Sequence, residues 1–287
     1  MTVALVTDSG TGVPPELVER YGVSVVPLQI IIDDESYDEG AEEASPARMA
    51  AALKEKRSVS TSRPAPTVFA DLYRRLAEEG ATEILSVHLS SEVSGTFESA
   101  QVAARHAPVP VTCVDTRQVG VGAGYAVESA AVVIARGGTR ADAADAARER
   151  SARVTSVFYV DTLEYLRRGG RIGGAAAVLG GALAVKPLLG IDNGVITTLE
   201  KVRTSARAIS RLEERAIQAA GDDEVELTVA HLASAERADA LAASLADRLE
   251  KQLDGREVRC VELGAVLGAH VGPGMLAICV APIVPGV

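Results

Sequence analysis

EILSVHLSSEVSGTFESAQVAARHAPVPVTCVD, residues 83–115, reads as a strand, a helix and a second strand in succession. Glu83–Leu89 is a short apolar run rich in aliphatic residues, Gly95–His106 has small and apolar residues at helical spacing, and Val111–Asp115 is again a short β-prone run. Two strands joined by a helix of this length make a parallel pair with a right-handed crossover. The same alternation extends outward in both directions. Upstream, Val3–Thr7 reads as a strand and Pro14–Tyr21 as a helix with proline in its first turn. Val23–Ile32 is β-prone but contains Pro27, which marks an edge or a break. Helices are expected from Ser45-Pro46 to about Lys56 and over Pro66–Glu79, the latter ended by Gly80. Downstream, Val119–Arg136 and Thr139–Ser151 are helical. In a parallel sheet ligands bind beyond the carboxyl ends of the strands, so the loops to inspect are Asp8-Ser9-Gly10, Ser90–Gly95 and Asp115-Thr116.

From residue 154 the pattern changes. Val154–Val160 reads as a strand, Thr162–Arg168 as a short helix, and Gly169–Gly181 is glycine-rich. Leu183–Ile191 and Val195–Val202 flank Asp192-Asn193-Gly194, a hairpin signal, because Asn-Gly tolerates the positive φ angles of a tight turn. Ser205–Ala220 and Ser234–Leu253 read as helices, and Val225–Leu232, Val258–Leu263 and Met275–Val280 as strands. The expected fold is therefore α/β in two domains. Residues 1–153 form an N-terminal domain with a parallel, Rossmann-like sheet, and 154–287 form a C-terminal α+β domain with a mixed or antiparallel sheet.

Composition bounds the function. A net charge of −10 repels nucleic-acid phosphates and anionic membranes, and an aromatic content of 3% without tryptophan gives little to stack on bases. No apolar stretch reaches the length of a membrane span, and MTVALVTDSG is not a signal peptide, so a cytoplasmic protein is expected. Cys113, Cys260 and Cys279 lie in separate apolar runs and are expected as free thiols. No His, Cys or acidic cluster has metal-ligand spacing, and neither a metal nor another cofactor is expected.

Four polar or glycine-rich segments follow apolar ones. Ser60-Thr61-Ser62-Arg63-Pro64 is either an N-cap for the helix near Pro66 or a hydroxyl cluster for an anion. Ser90–Thr96 offers hydroxyls and free N–H groups at a helix start, which suits an oxyanion or simple capping. Arg167–Gly174 is a phosphate-wrapping stretch or a helix end with close packing. Gly268–Gly274 places His270 between strands among small residues, facing a cavity or cleft.

Taken in order, these segments resemble the DegV family over nearly the whole chain. The matching residues are Val6-Thr7-Asp8-Ser9, Thr61-Ser62-x-Pro64, Ser90-Ser91-x-x-Ser94-Gly95-Thr96 and Glu98-Ser99-Ala100. Leu163-x-x-Leu166, Gly169-Gly170-Arg171-Ile172, Lys186-Pro187-Leu188-Leu189, Gly194, Lys201-x-Arg203 and His270-x-Gly272-Pro273-Gly274 continue the series. Ala65 stands where a serine is common, and Gly173-Gly174 departs from the usual neighbourhood. The resemblance implies the DegV fold, with the N-terminal domain packed on the C-terminal one and a long-chain fatty acid of the C16–C18 type buried between them. It also implies a non-enzymatic carrier that presents the carboxyl group to a separate ATP-dependent fatty acid kinase, which makes the acyl phosphate. Carried over by motif, Thr61 and Ser94 hydrogen-bond the carboxylate with His270 beside them, while Ser62, Gly95, Arg171 and Arg203 are weaker candidates near the site or for kinase docking. Two other readings stay open: a Ser/His acyl hydrolase using Ser94 and His270, and a phosphate- or nucleotide-binding protein using Gly169–Gly174.

Overall fold

Strand Val3–Asp8 sends Leu5 to one side and Val6 to the other, and strand Glu83–His88 beside it does the same with Leu85 and Ile84. Both faces are thus apolar, as a parallel sheet covered on two sides requires. The sheet runs in the order 24–26, 3–8, 83–88, 111–115, and all its pairs are parallel. On one face Val6 and Ile84 pack with Phe69, Leu72 and Tyr73 of helix Pro66–Glu78 and with Ala100 and Ala103 of helix Thr96–Ala104. On the other face Leu85, Val87 and Val114 meet the alanine-rich helices Val121–Ala135 and Arg140–Arg153. Small side chains let these two helices approach closely.

The computed structural model describes residues 2–174 and 186–284. Its chain divides into two units, one made of Met1–Gln29, Ser62–Arg153 and Val284–Val287, the other of Ile30–Thr61 and Val154–Ile283. The expected N-terminal domain is continuous over 1–153, and the structure corrects it, because residues 30–61 belong with the second unit. The break falls at Pro27, which cannot donate a ladder hydrogen bond. Val23–Ile32 is two strands: Ser24–Val26 stays in the parallel sheet, and Gln29–Ile32 joins Glu35–Asp38 and Val59–Ser62 in a separate three-stranded sheet. Helix Pro46–Lys54 follows from this excursion, with Ser45 as N-cap accepting from Arg48 N–H.

The second unit is built on a six-stranded sheet ordered 195–202, 186–192, 155–159, 276–282, 225–231, 259–262. Its neighbours pair antiparallel except the last pair, which is parallel, so the sheet is mixed. Asn193 and Gly194 take φ of 49° and 86° and close the hairpin between Asp192 and Val195. Helices Ser205–Ala220 and Ala235–Arg248 lay Leu212, Ala216, Leu241 and Leu245 onto Val157, Leu227, Val229 and Ile278 of the sheet. The single helix expected over Ser234–Leu253 is broken at Leu249, and Glu250–Leu253 forms a separate turn. The expected start of the hairpin at 183–185 and the part of the glycine-rich stretch at 175–181 lie outside the described residues. Among the described residues no helix is long and apolar enough to cross a membrane.

Candidate functional site

The second unit holds a cleft of about 600 Å³. One wall is the end of helix Pro46–Lys54 and the segment Lys56–Thr61, where the chain turns into strand Val59–Ser62. The other is built from Tyr165, Arg168, Gly169 and Arg171, with Ala269 and His270 between. Thr61 is expected in a loop or helix cap, and the structure places it in a strand. Helix Pro66–Glu78 has Ala65 at its N-cap position and no side-chain cap, so the hydroxyls of 60–62 are not spent on capping. His270 is expected between strands, and it lies instead in the last turn of a short helix, Ala265–Val271, which the run of small residues conceals.

Thr61 Oγ1 and His270 Nε2 are 2.8 Å apart. Nδ1 of the same ring is buried and has no hydrogen-bond partner among the described residues. Gly169 lies against that nitrogen, and a Cβ there would overlap it. Burial, and secondarily the positive charge of Arg171, lower the His270 pKa from 6.5 to about 4. The imidazole is therefore neutral at pH 7, with one nitrogen closed off and the other shared with a hydroxyl. Arg171 turns back to the carbonyl of Gly169, at 2.6 Å. Arg57 is bonded to Asp33 and Arg168 to Glu164, so the mouth carries guanidinium groups already held by carboxylates. The arrangement is a neutral hydroxyl–imidazole pair inside a cationic rim. It is suited to an anion's head group and has little apolar wall, so this cleft is not the aliphatic tunnel that an acyl chain requires.

The remaining expected residues fall elsewhere. Ser94 and Gly95 lie in the first unit, in the loop entering helix Thr96–Ala104. Ser94 Oγ is 2.8 Å from Thr96 Oγ1 and accepts from Thr96 N–H, and the Arg63 guanidinium lies over Gly95, where no side chain intervenes. Ser62 Oγ donates to the Arg63 carbonyl. Arg203 is exposed beyond strand Val195–Val202 and does not line the cleft. Two readings lose ground. His270 has no carboxylate partner among the described residues, which a Ser/His hydrolase needs on Nδ1. Gly169 lies where a Cβ would overlap the His270 ring, so packing accounts for that glycine without a phosphate.

A Ser/His/Asp string does exist, in the first unit, where sequence reasoning does not find it. Tyr73 Oη lies 2.8 Å from Ser86 Oγ, Ser86 Oγ lies 2.7 Å from His88 Nε2, and His88 Nδ1 lies 2.8 Å from Asp8 Oδ2. Leu89 N–H donates to the same Asp8 oxygen, and Phe69 meets the His88 ring edge-on. Burial raises the Tyr73 pKa, so its hydroxyl stays protonated at the end of the string. All four side chains are 0% exposed. A substrate does not reach a nucleophile sealed in this way, and the string braces the sheet. The available signal is the alternation of Ser86 and His88 on one face of a strand whose neighbour ends in Asp8. The cleft residues Lys56, Arg57, Arg168 and Tyr165 carry no such signal, because each resembles an ordinary surface residue in its own segment.

Residues 2–282 match the profile of the DegV family, described as uncharacterised proteins. This chain belongs to the DegV family. A DegV domain-containing protein of Streptomyces coelicolor is 50% identical over 278 residues, covering 97% of this chain and 98% of its relative. Among solved structures, a DegV family protein from Thermus thermophilus, described with its fatty acid binding, superposes with a TM-score of 0.89 at 32% identity, covering 99% of this chain and 100% of the other. DegV of Bacillus subtilis, described as a fatty acid binding protein, gives the same TM-score, identity and coverage. The DegV fold, with a parallel N-terminal sheet and a mixed C-terminal one, accounts for both sheets described above.

Proposed function

We propose that this DegV protein is a cytoplasmic carrier for one long-chain fatty acid of the C16–C18 type. The observation that carries the reading is the neutral Thr61–His270 pair in a cleft, in a chain whose whole length follows fatty-acid-binding DegV structures. A carboxylate is costly to bury unless donors meet it. With the His270 proton on Nε2 and donated to Thr61 Oγ1, the Thr61 hydroxyl keeps its own proton for the carboxylate, and Ser94 joins them by the family resemblance. Arg171, Arg203, Ser62 and Gly95 have supporting roles near the head group or at a partner's docking surface. Binding energy comes from the alkyl chain: at about 0.8 kcal/mol per CH₂, roughly 15 methylenes yield about 12 kcal/mol before association costs.

The carrier has no chemistry of its own in this reading. It presents the carboxyl group to a separate ATP-dependent fatty acid kinase, which forms the acyl phosphate. His270 Nδ1 meets no carboxylate among the described residues, which favours a carrier over an acyl hydrolase. Native mass spectrometry of the purified protein tests the first step. The expected result is a one-to-one complex heavier by a C16 or C18 acid. A bound nucleotide, or an apo protein that takes up no palmitate when it is supplied, overturns the reading.

A further inference from the structure

Helix Ala265–Val271 has seven residues and carries His270 in its last turn. A helix this short has little stability alone, and its first-turn N–H groups need partners. Its own sequence supplies none: the N-cap residue is Gly264, with no side chain, and Ala265, Val266 and Leu267 follow. The partner comes from 227 residues away, where Glu39 Oε1 accepts from Val266 N–H at 2.8 Å. A carboxylate at a helix N-terminus also meets the positive end of the helix dipole. Gly264 is part of the arrangement, because a Cβ there would overlap the Glu39 carboxylate.

The other end of the helix is held as tightly. His270 lies against Gly169, and in mid-helix Gly268 admits the end of Met49 from helix Pro46–Lys54. The helix is thus a strut between Glu39 and the Thr61–His270 bond, and its position along its own axis sets that 2.8 Å separation.

We propose that Glu39 is a positioning residue for His270, acting through the cap it places on helix Ala265–Val271. The proposal rests on the reading of Thr61–His270 as the head-group pair. Glu39 sits just after the exposed strand Glu35–Asp38, in a stretch of acidic residues that resembles solvated surface. Loss of the cap lets the helix shift, opens the imidazole to water and lengthens its bond to Thr61.

The experiment compares Glu39→Ala with Glu39→Gln in the full chain, by NMR titration of the His270 ring and by the Kd for palmitate. The ring is faced by Thr61, by the Arg171 cation and by Gly169, and none of these is altered. In Glu39→Ala the midpoint moves up from about 4 towards 6.5, and palmitate binding weakens about tenfold. Glu39→Gln, whose amide oxygen still accepts from Val266, stays near the wild type in both. If Glu39→Ala fails to fold, Gly264→Ala serves, since its methyl group displaces the carboxylate from the cap, and the same shifts are expected. An unchanged ring titration in Glu39→Ala, or a Glu39→Gln variant as impaired as Glu39→Ala, overturns the proposal. The titration needs no ligand, so a wild type that binds no palmitate fails the carrier reading alone.

Discussion

His88 and His270 sit in the two units of one chain with similar partners and opposite roles. His88 has both nitrogens bonded, one to Ser86 and one to Asp8, and is 0% exposed. His270 has one nitrogen on Thr61 and the other without a partner among the described residues, and it lines a cleft. His88 resembles a catalytic array by its residue types and is structural, because a complete network with no access can only hold things in place. His270 is incompletely bonded and is the better candidate. Its Nδ1 is closed off by Gly169, so what the cleft meets is the Thr61–His270 bond, whose hydroxyl keeps capacity for a further partner. Access and residual bonding capacity distinguish the two, and the identity of the side chains does not.

The largest effect expected from this contrast is on stability. His88→Ala leaves the buried Asp8 carboxylate with Leu89 N–H as its remaining donor among the described residues and takes the imidazole partner from Ser86, which keeps only Tyr73, and in a dry core this costs about 3–5 kcal/mol. Urea denaturation measures it, and a loss below about 1 kcal/mol would show the string to be dispensable. His270→Ala is expected to cost far less in the same assay and to act on palmitate binding instead.

Next in size is a pH effect confined to His270. The folded protein keeps this ring neutral down to about pH 4, whereas the unfolded chain takes up that proton at its ordinary 6.5. Between these values the unfolded state binds more protons, so stability falls as the pH drops through the window and is unaffected by this group above it. The full shift corresponds to about 3 kcal/mol at about 1.36 kcal/mol per pH unit. A His270→Gln variant lacks this slope, so its stability relative to the wild type improves from pH 6.5 to pH 4. Parallel curves for the two proteins would remove the buried neutral imidazole from the account.

The smallest effect belongs to the hydroxyl alone. Thr61→Val keeps a β-branched residue in strand Val59–Ser62 but deletes the partner of His270 Nε2. Palmitate affinity is expected to fall about tenfold, read by a fluorescent-ligand displacement assay, with little change in melting temperature. An equal loss of affinity and stability would place Thr61 with the scaffold.

The parallel sheet was legible because aliphatic runs and helical spacing alternate regularly from Val3 to Arg153, and the hairpin because Asn193-Gly194 admits so few alternatives. The three-stranded sheet was not, since Glu35–Asp38 is polar and Val59–Ser62 is mostly hydroxyls, which carry no period-two apolar signal. Helix Ala265–Val271 was hidden for a related reason: its glycine content argues against a helix locally, and the cap that compensates comes from Glu39. Of the residues lining the cleft, Thr61, His270 and Arg171 lie in segments that the family motifs single out. The role of Gly169 beneath His270 and that of Glu39 were not, because both depend on contacts between residues far apart in the chain.

The excursion of residues 30–61 also governs how the molecule can be taken apart. Scissors placed after Arg153, where the alternating pattern ends, sever Thr61 and Met49 from the imidazole and glycine they touch. The downstream fragment then lacks a wall of its own cleft, and the upstream fragment carries a surplus sheet and helix with exposed apolar faces. Neither piece is a complete unit, and a chain that links residue 61 directly to 154, with 62–153 left out, is the more natural dissection.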